Sequence, residues 1–316
     1  MAHRARPLIS TITVVLAAAV TTACTSAAGT ASEPAPPAPP QATVSKVSAQ
    51  PQPSPSAGCT SSSTLVVGVK VDQYGTGYLD VRNYSYAGFD ADVATYLSST
   101  LFNDPNPYFL PVSSDTREQA LASCAIRFFA ATYTISPLRQ AEFAVAGPYL
   151  VTYQGIMLGP HSPRITTVSQ LDGRRVCVVG GGSETQSVLN EFVPQAIAEP
   201  VQTYSGCLTE LRDGDVDAFS TDLAILYGYL TDPANSGLRV VSGVVIGDPI
   251  YYGIAFRKSD HLICLRAVTA IEEMIRTKQW QADLDTDLPN YVNSQALYPS
   301  PLQPTSQEIA ANSCRS

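Results

Sequence analysis

The sequence predicts an α/β protein, and three observations support this. Strand-like and helix-like stretches alternate from residue 65 to about residue 280. The strand-like runs are apolar and rich in Val, Ile, Tyr and Phe, and Gly/Pro/Asn/Asp clusters punctuate them. Alternation of this kind builds parallel sheets with crossover helices. The 316 residues suffice for one large domain or two ordinary ones, and 45% hydrophobic content can supply a core.

The amino terminus precedes that fold. Residues 1–23 join a basic start (His3, Arg4, Arg6) to an apolar run over 8–20, too short for the ~20 residues of a spanning helix. This reads as an export signal peptide. The run ends in Val20-Thr-Thr-Ala-Cys24, which resembles a bacterial lipobox with Thr21 where Leu, Val or Ile is usual. On that resemblance Cys24 becomes a lipidated first residue, palmitate-type anchoring follows, and the chain sits on the outer face of the cytoplasmic membrane. Cleavage after Ala23 with release of a soluble product is the alternative. Residues 24–58 hold 8 prolines between Pro34 and Pro55 and no aromatic residue. Such a segment cannot offset its ordering entropy by burial, so a disordered Pro/Ala/Ser-rich tether is expected, reaching at most about 100 Å at ~3.1 Å per residue.

The elements then follow in order. A β-rich run covers 65–71, and a helical pattern over 90–101 stops at Asn103-Asp-Pro-Asn-Pro107. A short strand (108–112), a helix (115–123) and a buried strand (126–133) come next. Further strands are expected at 154–158, 175–179, 201–204, 217–220, 238–241 and 251–257. Helices are expected at 184–192, 207–213, 222–230 and 260–280. No later stretch is apolar enough to span a bilayer.

Six cysteines remain beyond Cys24, an even number suited to disulfides in an exported chain, with 15 possible pairings. The expected pairs are Cys177–Cys207 within the central segment, Cys59–Cys124 between neighbouring strand starts, and Cys264–Cys314 pinning the carboxyl tail. Composition also excludes functions. A net charge of -8 without a basic cluster is a poor match for nucleic acid. His3, His161 and His261 are too dispersed for a local metal motif, and no cofactor is expected.

Four stretches carry recognition chemistry: Tyr86-Ala-Gly-Phe-Asp-Ala-Asp-Val-Ala94, Ala131-Thr-Tyr-Thr-Ile-Ser-Pro-Leu-Arg139, Val176-Cys-Val-Val-Gly-Gly-Gly-Ser-Glu-Thr185, and Gly214-Asp-Val-Asp-Ala-Phe-Ser-Thr-Asp222. With Lys70-Val-Asp-Gln73, Gly147-Pro-Tyr149 and Asp222-Leu-Ala-Ile-Leu-Tyr-Gly-Tyr229, the chain resembles the amino-acid-binding (family 3, type II) solute-binding lipoproteins of ABC importers, above all actinobacterial glutamate-binding proteins. The resemblance covers about residues 64–285. Ala91, Val145 and Gly182-Ser183 depart from the usual residues there.

The resemblance implies a two-lobed periplasmic-binding-protein type II fold, each lobe a mainly parallel sheet flanked by helices. Lobe 1 would comprise 59–150 and 250–316, and lobe 2 would comprise 151–249, with two hinge crossings near 149–153 and 248–252. It also implies a site. Arg139 would fork the ligand carboxylate, aided by the Gly181–Ser183 turn with Gly182 amide and Ser183 hydroxyl donors. Asp222, the Thr134 hydroxyl and the Thr132 carbonyl would take the ammonium. Phe89 would pack on the aliphatic stem. Lys70, Ser114, Arg117 and Tyr204 match positions facing the side chain in acidic-amino-acid binders, which favours glutamate or aspartate over glutamine or asparagine.

Each residue also has a plainer reading: Arg139 as a solvated helix residue, Asp222 as a helix N-cap, Lys70 and Arg117 as surface charges, Phe89 as core. The leading function is amino-acid capture by a monomer, between two lobes, for delivery to an ABC permease. Alternatives are a glutamine-binding importer subunit and an amino-acid-sensing lipoprotein signalling to a membrane receptor. A dehydratase-like enzyme on the same fold would need a general acid or base in the cleft, and no nucleophile motif or histidine lies near the four stretches.

Overall fold

The structure is a computed structural model and describes residues 64–315. The signal peptide, Cys24, the tether and Cys59 lie outside the described residues.

The chain opens with β1 (Val66–Val69), then a small antiparallel sheet of β2 (Asp72–Gln73), β3 (Gly77–Asp80) and β4 (Ser85–Ala87). These short strands are additions to the expected pattern. Helix α1 (Phe89–Phe102) ends where the sequence predicts, with Asn103 in the left-handed conformation donating its N–H to the Ser98 and Ser99 carbonyls. β5 (Tyr108–Pro111), α2 (Arg117–Ala122), β6 (Phe128–Thr134) and α3 (Pro137–Glu142) follow.

β7 (Phe143–Leu158) is 16 residues long and buried throughout. Only its last five residues are expected as strand from the sequence. The Gly147-Pro148 peptide bond within it is cis. The second part contains β8 (Arg175–Val179), α4 (Thr185–Phe192), β9 (Ile197–Val201), α5 (Tyr204–Asp213), β10 (Ala218–Asp222), α6 (Leu223–Tyr229) and β11 (Arg239–Val240). The strand expected at 201–204 lies earlier, because Thr203 caps α5 by accepting the Gly206 N–H and so starts a helix at Tyr204. β12 (Ile246–Arg257) returns antiparallel to β7.

The helix expected over 260–280 is two helices, α7 (His261–Arg276) and α8 (Gln279–Asp287), broken at Lys278 with φ 64°. α9 (Pro289–Ser294) and α10 (Ser306–Asn312) complete the chain.

The main sheet runs β5-β1-β6-β12-β7-β10-β8-β9, with β11 on β7. Its outer portions are parallel: β5, β1 and β6 on one side, β10, β8 and β9 on the other. The long antiparallel β7/β12 pair joins them. Each half of the sheet is therefore mainly parallel, as expected, and the antiparallel β7/β12 pair makes the two halves continuous. Val151 pairs with Tyr251 and Thr152 with Ile250, so the two crossings expected as hinges lie side by side in that centre.

Helices cover both faces of the sheet. Phe89, Tyr149 and Trp280 meet in the largest apolar cluster, with the Trp280 Nε1–H donating to the Tyr149 carbonyl at 2.6 Å. Disulfides Cys177–Cys207 and Cys264–Cys314 tie β8 to α5 and α7 to the chain after α10. Closing loops of this length typically adds 2–4 kcal/mol. Cys124 is also disulfide-bonded, and its expected partner Cys59 is outside the described residues.

Helix α6 meets the β2–β3 turn at Gly228, where an added Cβ would lie 2.1 Å from the Tyr74 carbonyl oxygen. Gly228→Ala is expected to destabilise the protein by about 1–3 kcal/mol, despite alanine's better helix propensity. Chemical denaturation checks this, and an unchanged midpoint would show that the turn yields freely.

Candidate ligand-binding site

The site lies where the carboxyl ends of parallel strands from both portions of the sheet meet. A cavity of about 20 Å³ is lined by Arg117, Thr132, Thr134, Gln154, Ser183, Glu184, Thr185, Val188, Tyr204, Asp222 and Ile250. A second, larger cavity of about 400 Å³ holds Lys70 and Ser114 and shares Tyr204 with the first. The structure thus brings together most of the residues singled out from the sequence, from β6, the strand-to-helix turns before α2 and α4, and the end of β10.

Two buried cations dominate the electrostatics. Lys70 is 1% exposed and Arg117 is 2% exposed. Lys70 Nζ donates to the Ser114 hydroxyl at 2.7 Å and stands 5.3 Å from the Tyr204 ring centroid. Arg117 Nη1 donates to the Ala131 carbonyl at 2.5 Å, and Nη2 to the Gly182 carbonyl at 2.9 Å. Among the described residues neither cation forms an ion pair with a carboxylate, and Arg117 Nε has no hydrogen-bond partner. Burial holds the Lys70 ammonium well below the usual lysine range, and Arg117 pushes it further down. Arg117 is itself lowered by burial and by Arg139. Buried cations without carboxylate partners demand an anion.

Arg139 is not on the cavity wall but at its edge. Nη1 donates to the Thr134 carbonyl at 2.8 Å and Nη2 to the Gly182 carbonyl at 2.7 Å, while the guanidinium stacks 4.3 Å from the Tyr133 centroid. Glu184 lies 3.3 Å from Nη1 and Glu118 3.7 Å from Nε. The solvated reading of Arg139 does not hold, since it is 9% exposed. Gly181 and Gly182 have φ of 58° and 78°, and a Cβ on Gly182 would lie 2.3 Å from the Ser114 carbonyl oxygen. The expected contribution of Gly182 was its amide; what the structure shows in use is its carbonyl, which accepts from both arginines. The Ser183 hydroxyl is 2.8 Å from the Thr185 hydroxyl and accepts the Thr185 N–H at 3.3 Å.

Asp222 stands at the N-cap position of α6, yet its side chain makes no capping bond. Instead Oδ2 accepts from the Tyr252 hydroxyl at 2.5 Å. Burial pushes its carboxyl up to about 6, with Glu184 adding and Tyr252 opposing.

Thr132 has φ 45°, uncommon for a β-branched residue. Its N–H donates to Asp90 Oδ2 at 2.8 Å, and its hydroxyl meets the Gln73 amide at 3.1 Å. Asp90 also accepts from the Tyr149 hydroxyl at 2.6 Å, and burial raises it to about 6. These two buried residues hold Thr132 in its strained conformation.

One assignment is corrected. Phe89 lines neither cavity; it is fully buried against Tyr149 and Trp280, so it is core. An aromatic side chain after a glycine turn carries no sign of which way it faces. Sequence reasoning missed Gln154, Glu184 and Thr185 on the cavity wall. Glu184 and Thr185 directly follow Ser183 and were within reach; Gln154, inside a strand, had no signal. No group of His, Cys, Asp and Glu that could hold a metal is present among the described residues, and no helix among them is long and apolar enough to cross a membrane.

Residues 65–285 match the bacterial extracellular solute-binding proteins, family 3. The chain is 33% identical over 233 residues to a glutamate-binding protein of Corynebacterium efficiens, covering 71% of this chain and 78% of that protein. It is 28% identical to an ABC transporter glutamine-binding protein of Bacillus subtilis, covering 66% and 76%. Among solved structures, an ancestral arginine-binding protein bound to arginine superposes with a TM-score of 0.63 at 26% identity, covering 71% of this chain and 97% of that one.

Proposed function

The chain belongs to the bacterial extracellular solute-binding proteins, family 3, and from that premise we propose that it captures an acidic amino acid, glutamate or aspartate, for an ABC importer. The family is one of binding proteins, not enzymes. The observation that carries the choice of ligand is the pair Lys70 and Arg117, both buried and neither ion-paired among the described residues. A side-chain carboxylate placed there would compensate both charges, whereas glutamine's neutral amide would leave them poorly paired. The glutamate-binding relative agrees with this reading.

Binding in this reading uses both portions of the sheet. Arg139, with the Gly182–Ser183 turn, takes the α-carboxylate. Asp222 takes the ammonium with Thr134 and the Thr132 carbonyl. Tyr204, Ser114, Lys70 and Arg117 surround the side chain. A cavity of about 20 Å³ holds roughly one water, so an amino acid enters only if the guanidiniums leave the Gly182 carbonyl. We infer that residues 59–150 with 250–316 and residues 151–249 act as two lobes that part for this, bending at the paired crossings around Val151 and Tyr251. Lipidation at Cys24 and the tether would hold the monomer near its permease.

A thermal-shift screen of the twenty amino acids tests the reading, with the largest rise in Tm expected for glutamate or aspartate. No response to any amino acid would refute it. Lys70→Met combined with Arg117→Met should weaken glutamate at least ~30-fold more than glutamine, by calorimetry. Equal losses for the two ligands would instead favour the glutamine reading that the Bacillus relative suggests.

A further inference from the structure

Gln154 has no assigned role, yet it is fully buried and lines the cavity. Its amide orientation is fixed by chemistry. The Thr185 carbonyl, 3.1 Å away, can only accept a hydrogen bond, so the nitrogen must face it. The Ser220 hydroxyl donates to the Gly155 carbonyl at 2.9 Å and therefore also accepts from Nε2, at 2.9 Å. Both amide hydrogens are thus used. The remaining atom, Oε1, is buried with no hydrogen-bond partner among the described residues.

Position says what Oε1 is for. Gln154 on β7 is the direct cross-strand partner of Asp222 on β10. Directly opposed residues of an antiparallel pair project from the same face with Cβ atoms about 4.5–5.5 Å apart. A neutral acceptor therefore stands beside the carboxylate. An ammonium has three N–H donors, which one carboxylate does not satisfy. A buried acceptor left without a donor costs free energy that a ligand N–H would recover.

We propose that Gln154 is a specificity-determining residue that accepts a hydrogen bond from the ligand's α-ammonium, beside Asp222. This rests on the amino-acid reading above. The subsite so formed takes a primary ammonium in preference to a hydroxyl or a keto group at the same carbon.

The test compares two variants that both remove the Nε2 donor. Gln154→Met keeps the length and loses the acceptor; Gln154→Glu keeps an acceptor. At pH 8, Gln154→Met should raise the Kd for L-glutamate roughly 10- to 100-fold. Gln154→Glu should bind within about threefold of wild type or tighter. An unchanged Gln154→Met, or a Gln154→Glu that falls as far, would overturn the proposal, because loss of the Thr185 and Ser220 contacts alone would affect both variants alike. Ligand-free Tm values report whether each variant folds. If Gln154→Met does not fold, Ser220→Ala frees one anchor of the amide and should weaken L-glutamate a few-fold; unchanged Kd would then overturn it. L-glutamine replaces L-glutamate as the probe if wild type prefers it. Wild type that binds no amino acid would refute the parent reading, whereas binding wild type with an unchanged Gln154→Met refutes this one alone.

Discussion

Asp222→Asn is expected to weaken glutamate by at least about 100-fold at pH 7.5, while the ligand-free fold becomes no less stable, since the variant no longer buries a charge there. The carboxylate is buried, does not cap α6 and has the Tyr252 hydroxyl as its hydrogen-bond partner, so its charge is available to a ligand ammonium. Charge-assisted hydrogen bonds in such a setting contribute roughly 1.5–3 kcal/mol each, and the loss of charge adds to this.

Its pH dependence follows from the carboxyl being raised to about 6 by burial. Binding a cation requires the ionised form, so affinity is full above pH 6 and falls as pH drops through that value. The ligand-free protein behaves oppositely. A carboxyl raised on folding contributes stability that is present below the unfolded value near 4 and lost as pH rises through 6. For Asp222 that difference is on the order of 3 kcal/mol, and Asp90, also near 6, acts in the same direction. Between pH 7.5 and 5.5, therefore, Tm without ligand should rise while glutamate affinity declines. Calorimetry and thermal melts over that range check both signs. A wild-type affinity independent of pH, or an Asp222→Asn affinity within threefold of wild type, would remove Asp222 from the ammonium subsite.

Much of the site could be seen in the sequence because binding groups cluster at strand ends. Thr134 ends β6, Asp222 ends β10, Ser183 follows β8, and each is a polar residue at the carboxyl end of a strand next to a turn or helix start. Gln154 gave no such signal. It sits inside β7, where all 16 residues are buried, and alternation does not separate a core glutamine from a binding one. Phe89 misled for the converse reason: an apolar side chain beside a glycine turn suits a ligand stem and a core equally well.

The fold shows the same division. α1 and α5 have chemical stops, Asn103 and Gly214, in left-handed conformations. The break between α7 and α8 is made by Lys278, whose residue type announces nothing, and tertiary packing overrides propensity there. The two- to four-residue strands of the small sheet are too short for any period to register.

Arg139→Ala should be the other severe lesion, and it separates binding from folding. In the proposed complex this guanidinium pairs with the α-carboxylate, and deleting it leaves that anion buried and unpaired, at a cost of about 3 kcal/mol or more. Affinity should therefore fall at least about 100-fold. Stability should change little. Glu118 and Glu184, the acidic neighbours of Arg139, are 37% and 36% exposed and remain solvated without it. The Gly182 carbonyl keeps its bond from Arg117 Nη2.

Arg139→Lys discriminates further. It preserves charge but loses the planar fork that would take the α-carboxylate bidentately, so it should recover only part of the affinity. Calorimetry with glutamate, paired with ligand-free melts, decides the matter. A variant that binds normally would mean Arg139 serves only to join the Thr134 and Gly182 segments. One that loses Tm and affinity in proportion would mean the guanidinium acts through the fold. Only a large affinity loss at nearly constant Tm places it on the ligand.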